Sequence, residues 1–174
     1  TGASRGIGEE TARRFAQAGF DLLLLAREEK KLASLANELS VTGVSVNYKS
    51  IDLSNPDEIS PGIDQLLKNS EIPSVLINNA GAAWTGELLS MPLKDWNWLF
   101  QLNLTSVFQI CSCLVPKMRS GGGLVINVSS HAANNAFPQW GAYCISKAAL
   151  ASFTRCLAEE ERAHSIRACT LTLG

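Results

Sequence analysis

The chain has 174 residues, of which 46% are hydrophobic and 18% charged, and a formal net charge of −1. That length is enough for a real hydrophobic core, the composition excludes a disordered segment, and the near-neutral charge leaves no basic field for nucleic acid or an anionic membrane. The longest purely aliphatic run, Leu22 to Ala26, is far too short to span a bilayer. Five cysteines, Cys111, Cys113, Cys144, Cys156 and Cys169, form no CxxC spacing and are odd in number. They argue against a disulfide framework or a zinc site. The expectation is five reduced, mostly packed thiols in a reducing, cytoplasmic compartment. The sequons at Asn103 and Asn127 lie in apolar stretches and are expected to be unused.

Apolar runs alternate with helix-length segments along the chain, the pattern of a parallel sheet with crossover helices. Gly6 to Ala18 reads as a helix, with Ile7, Ala12, Phe15 and Ala16 near one face and Gly19 as its stop. Phe20 to Ala26 is a continuous apolar run, as expected of a strand buried on both faces. Glu28 to Leu39 is a charged amphipathic helix, and Val44 to Ser50 alternates as a strand. Ser54 or Asn55 can cap a helix that has Pro56 in its first turn and Asp57 and Glu58 against its dipole. Val75 to Asn78 is a short strand and Leu93 to Met118 a long helix with Pro116 near its end. Leu124 to Val128 is a strand, Gly141 to Ala163 a helix, and Ile166 to Leu173 a final strand. The order implies an α/β, doubly wound parallel sheet within a single partial domain covering residues 1–174.

Thr1-Gly-Ala-Ser-Arg-Gly-Ile-Gly8 opens directly into the first helix. Such a turn is an anion cradle, because the helix start offers free N–H groups and partial positive charge to phosphates. Gly2 permits the tight turn, Gly6 lets backbone approach a pyrophosphate, and Gly8 allows close packing. Ser4, Arg5 and Ile7 share the turn and are candidate cofactor contacts. The spacing is TGxxxGxG, not the general Rossmann GxGxxG. The chain begins at Thr1 inside this motif and stops at Gly174 after a strand-like run, so it reads as truncated. The strand expected before Thr1 is central in a doubly wound sheet.

The end of the second strand should sit beside the adenosine ribose, where an acid accepts the 2′-OH and repels a 2′-phosphate. Here Ala26 is followed by Arg27, and Arg5 lies in the glycine turn. Two guanidinium groups near one ribose suit a 2′-phosphate, which favours NADP over NAD. The competing ribose acids are Glu28, 20 positions beyond Gly8, and Glu29, but both fit better as first-turn helix charges.

Tyr143-Cys-Ile-Ser-Lys147 places Tyr143 and Lys147 on one helix face, at i and i+4. A phenol titrates near ~10. An adjacent ammonium and an oxidised nicotinamide favour phenolate, so Tyr143 is the candidate general acid in reduction or base in oxidation. Ser130, 13 positions upstream at a strand end, can hydrogen-bond a substrate oxygen and stabilise developing negative charge. Its neighbour Ser129 reads as a strand-end hydroxyl satisfied by backbone. His131 reads as shaping the pocket or exposed, and His164 as serving a helix dipole or solvent. Cys144 points to another helix face and reads as packed. Trp84 and Trp140 fall in loops near the mouth, and Trp96 and Trp98 read as core or subunit contact.

With Asn78-Asn79-Ala80-Gly81 after the fourth strand position and Asn103 40 positions before Tyr143, these motifs in this order resemble the short-chain dehydrogenase/reductase family over essentially the whole chain. The resemblance implies an Asn103-Ser130-Tyr143-Lys147 tetrad in which Asn103 positions a proton-relaying water and Lys147 also holds the nicotinamide ribose. It implies adenine contacts at Asp52 and Leu53 and cofactor contacts at Asn79, Ala80, Gly81, Tyr143 and Lys147. It further implies a carbonyl or alcohol substrate, with 3-oxoacyl thioesters ahead of small ketones, sugars or steroids. The family's substrate segment would follow Gly174. Pairing between subunits through the helices of Asn103 and Tyr143 would give a homodimer or homotetramer, and Val107, Ile110, Leu114, Ala148, Leu150 and Phe153 fit either that interface or the core. A non-catalytic dinucleotide sensor or scaffold is the alternative, but the motif residues are intact. A general Rossmann methyltransferase or an extended sugar-nucleotide enzyme fits the Asn78–Gly81 motif and the Ser–Tyr spacing poorly.

Overall fold

The computed structural model describes residues 1–174. Strand β1 (Leu22–Ala26) pairs in parallel with β2 (Val46–Ser50), Leu22 opposite Val46 and Ala26 opposite Ser50. A second parallel sheet has the order β3 (Val75–Asn78), β4 (Gly123–Ser130), β5 (Ile166–Leu173), with Asn78 opposite Asn127 and Ser130 opposite Leu173. Helices cross between the strands: α1 (Gly6–Gln17), α2 (Glu29–Ser40), α3 (Pro56–Leu67), α4 (Leu93–Phe100), α5 (Ser106–Met118) and α6 (Gly141–Glu160). This is the doubly wound parallel architecture, expressed as two adjacent sheets.

β1 and β3 are not hydrogen-bonded to each other. Between them lies a slot of about 420 Å³, walled by Leu22 to Leu25 on one side and Val75 to Ile77 on the other. It leaves one edge of β1 and one edge of β3 without a strand partner. Thr1 N donates to the Ile77 carbonyl (2.7 Å) and Ala3 N to the Leu25 carbonyl (3.2 Å), so Thr1 to Ala3 bridge the two sheets at one end of the slot.

The core forms on both sides of the sheets. One cluster gathers Ile51, Ile59, Ile63, Val107, Ile110, Leu114, Val125, Leu150 and Ile166 between β-strands and α3, α5 and α6. A smaller one packs Ala12 and Ala16 of α1 and Leu32, Leu35 and Leu39 of α2 on Leu22 and Leu24. Ile7, expected near one face with Ala12, Phe15 and Ala16, is 53% exposed, while Ala12 and Ala16 are buried. Asn55 is the cap of α3, its side chain accepting from Asp57 N (3.2 Å) with Pro56 following.

The long helix is interrupted. A π-turn at Gln101–Thr105 separates α4 from α5 and contains Asn103. Taken whole, Leu93–Met118 has the length and apolarity of a membrane span (26 residues, mean hydropathy 1.4), although it contains no long purely aliphatic run. Half of its most apolar window is buried in the molecule, and Leu99, Ile110, Leu114 and Met118 account for that apolarity as core. All five cysteines are free thiols; Cys111 and Cys144 are buried, but Cys156 and Cys169 are exposed, against the expectation that they pack. Cys169 lies on β5, the outer strand of its sheet.

Candidate active site

The glycine turn is closed by Asn79. Its side-chain amide donates to the Thr1 carbonyl (3.1 Å), while the backbone N–H groups of Asn79 and Ala80 both donate to Thr1 Oγ1 (3.0 Å each). The Asn79 side-chain amide is thus committed to backbone. Gly2 (φ +68°) takes the left-handed conformation that the turn needs. A Cβ on Gly8 would overlap the Gly2 carbonyl oxygen and lie 2.6 Å from Asn79 Nδ2, so Gly8 lets α1 begin directly beneath the turn. Gly6 (φ +58°) faces the other way: a Cβ there would meet nothing within 4 Å. The helix start therefore opens onto free space, as an anion cradle requires.

That space continues into a cleft of about 160 Å³. Gly2, Ser4, Arg5, Arg27, Leu53, Asn79, Ala80 and Gly81 of the anticipated cofactor residues line it. So do Ala26, Ile51 and Leu102, which the motif reading did not single out, and Glu28. Gly6, Ile7, Gly8 and Asp52 lie outside the lining. The Asp52 carboxylate instead accepts from Ser54 N (2.9 Å) and Ser54 Oγ (2.8 Å), fixing the turn into α3. Arg5 and Arg27 take part in no ion pair of the structure. Two unpaired guanidinium groups at a helix-start cradle fit a phosphorylated dinucleotide.

Gly81 joins this cleft to the second group of candidates. A Cβ on Gly81 would lie 3.2 Å from Asn103 Oδ1 and 3.5 Å from Lys147 Nζ. Asn103, 1% exposed, clamps the segment after Gly81: its Oδ1 accepts from Ala82 N (2.9 Å) and its Nδ2 donates to the Ala82 carbonyl (2.8 Å). Nδ2 also donates to Ser146 Oγ (3.0 Å), and Ser146 Oγ donates to the Tyr143 carbonyl (2.8 Å). Ser146 was missed in the sequence. Its signal is a polar residue inside the Tyr143–Lys147 turn that is fully buried.

Lys147 is 5% exposed and donates to the Val128 carbonyl (2.9 Å), tying α6 to β4 two residues before Ser130. Burial pulls its ammonium down to about 8. The ammonium also sits 5.8 Å from the centroid of the Tyr143 ring, and Trp140 meets that ring edge-on at 5.7 Å. Tyr143 is half-buried at the start of α6. Ser130 ends β4, and its Oγ accepts from Ala132 N (3.2 Å). Ser129 was expected to satisfy its hydroxyl on backbone, yet its Oγ is buried without a partner. Strand alternation sends it to the opposite sheet face from Ser130. His131 and His164 are exposed.

A sequence model described as short chain dehydrogenase matches residues 1–174. The chain is 30% identical over 176 residues to the 3-oxoacyl-[acyl-carrier-protein] reductase FabG of Chlamydia muridarum, covering 100% of this chain and 71% of that protein. It is also 30% identical to the probable oxidoreductase EphD of Mycobacterium bovis, spanning 100% of this chain but only 30% of that protein. The crystal structure of a metagenomic short-chain oxidoreductase in complex with NADP superposes with a TM-score of 0.93 at 33% identity, over 99% of this chain and 79% of that one.

Proposed function

The chain belongs to the short-chain dehydrogenase family, and on that premise we propose that residues 1–174 are the nucleotide-binding and catalytic domain of an NADP-dependent oxidoreductase interconverting carbonyl and alcohol. The observation that carries this reading is the meeting at Gly81 of the two halves of the site, the anion cradle with its unpaired Arg5 and Arg27 and the Asn103–Lys147 group.

Bound nicotinamide supplies or accepts the hydride at its C4. The rest of the work falls to the chain. Gly2, Ser4 and Gly6 give backbone room and N–H groups to the pyrophosphate, and Arg5 and Arg27 take the 2′-phosphate. Ile51, Leu53 and Ala80, which line the cleft, would wall the adenosine end. Tyr143 Oη gives its proton to the carbonyl oxygen in reduction and takes it back in oxidation, while Ser130 Oγ donates to that same oxygen and stabilises its negative charge. Lys147, held on Val128, keeps positive charge beside the Tyr143 ring, and it would hold the nicotinamide ribose. Both N–H groups of the Asn103 amide are committed, so a relay water would use the remaining lone pair of Oδ1.

The substrate class is placed first at 3-oxoacyl thioesters, then at small ketones, sugars or steroids. Five free thiols favour a reducing, cytoplasmic setting. The exposed Phe108 (55%) and Ile145 (41%), with Phe108 edge-on to Phe153 at 6.5 Å, suit a homodimer or homotetramer formed through α5 and α6. The experiment is a screen of the full chain with NADPH and NADH against 3-oxoacyl thioesters and small ketones. Turnover favouring NADPH supports the reading, and tight NADPH binding without turnover on any carbonyl would favour a sensor instead.

A further inference from the structure

Glu28 is the single acidic side chain lining the cofactor cleft, and it sits beside both free guanidinium groups. It does not pair with either of them. Its carboxylate is engaged by Lys31, one turn along α2, at 2.7 Å (Nζ to Oε2). That hydrogen bond, assisted by the nearby charges of Arg5 and Arg27, holds Glu28 below the usual carboxylate range, so it is ionised at neutral pH. An unengaged Glu28 has two options, both adverse to a 2′-phosphate. It can pair with Arg27 or Arg5 and remove the phosphate's partners, or it can accept from a 2′-OH and repel the phosphate.

We propose that Lys31 is a specificity-determining residue: by engaging Glu28 it leaves Arg5 and Arg27 open for a 2′-phosphate and denies the ribose its acid, so that the Lys31–Glu28 pair sets the preference between phosphorylated and unphosphorylated dinucleotides. The inference rests on the NADP reading of the cleft and adds a residue that no glycine-turn or strand-end motif identifies. Lys31 acts through Glu28 and need not touch the nucleotide. The two side chains are 54% and 48% exposed, so substitution of either leaves the core intact.

The test is calorimetric titration of NADP⁺ and NAD⁺ into the full chain, for the wild type, Lys31→Gln, Glu28→Gln and the double variant. The wild type should bind NADP⁺ more tightly. Lys31→Gln should lower the NADP⁺/NAD⁺ affinity ratio about two- to fivefold, the scale of one exposed ion-pair partner redirected to a neighbour. The double variant should return the ratio to that of Glu28→Gln. A ratio in Lys31→Gln within about twofold of the wild type overturns the proposal. So does a double variant as low as Lys31→Gln, because Lys31 would then be acting on the phosphate directly. A wild-type chain with no preference for NADP⁺ overturns the cofactor reading itself, and the proposal with it.

Discussion

The Lys147 ammonium donates to the carbonyl oxygen of Val128 at 2.9 Å, in a site where the lysine is 5% exposed and no carboxylate faces it. The charge is thus bought at the expense of stability: burial alone brings it down from 10.5 to about 8. Between those two values the folded chain binds fewer protons than the unfolded chain, so this group makes stability rise with pH through that window. Below about pH 8 the full cost of the buried charge is carried.

Lys147→Met should therefore abolish turnover and yet raise Tm at pH 7. The gain should be roughly 1–2 kcal/mol once the Val128 carbonyl has lost its donor. It should shrink as the pH rises from 8 towards 10.5. Calorimetric melting of both proteins across that range checks it, and a variant that melts lower than the wild type at pH 7 contradicts it.

Gly81→Ala should separate activity from stability. The added methyl meets Asn103 Oδ1 at 3.2 Å and Lys147 Nζ at 3.5 Å, so the amide clamp has to yield by a few tenths of an ångström. Turnover should fall about tenfold or more through misplacement of the reacting groups, with Tm nearly unchanged. Parallel kinetics and melting curves decide it.

Gly8→Ala should act on binding. Its methyl overlaps backbone at Gly2, which has no side chain to swing away. The glycine turn must open, at a cost of roughly 1–3 kcal/mol. Nucleotide affinity measured by titration should be lost even where circular dichroism reports a folded chain.

The slot between β1 and β3 leaves a strand edge unpaired on each side of an apolar cavity. The chain of residues 1–174 should therefore melt broadly and at low temperature. Extending it ahead of Thr1 by about six β-branched and aliphatic residues, a strand's length, should sharpen the transition and raise Tm. A cooperative, high-melting transition without the extension would refute this.

The strand order and the glycine turn were legible because their signals are local. Buried parallel strands read as apolar runs such as Leu22 to Ala26, and a turn such as Thr1–Gly8 needs glycines at set positions. The i, i+4 relation of Tyr143 and Lys147 follows from helix geometry alone. What escaped depends on distant partners or on choices that the local sequence leaves open. The π-turn around Asn103 carries no breaker residue; it is fixed by the clamp on Ala82, 21 positions away. Asp52 turns to Ser54 instead of lining the cleft, a choice between two short-range options that composition does not decide. Ser129 and Ser130 are adjacent and identical, and only the strand's alternation sends one into a buried site without a partner. Cys169 is exposed while Ile166 on the same strand is buried, a difference that the apolar run of β5 does not reveal.

The central claim is that Tyr143 passes the proton in an NADPH-dependent carbonyl reduction. The most direct measurement is NADPH oxidation by the full chain with a 3-oxoacyl thioester and a panel of small ketones, beside Tyr143→Phe and with NADPH affinity measured on both. The account predicts turnover by the wild type, a loss of about a hundredfold or more in the variant, and NADPH binding that is retained. Equal rates in the two proteins would contradict it.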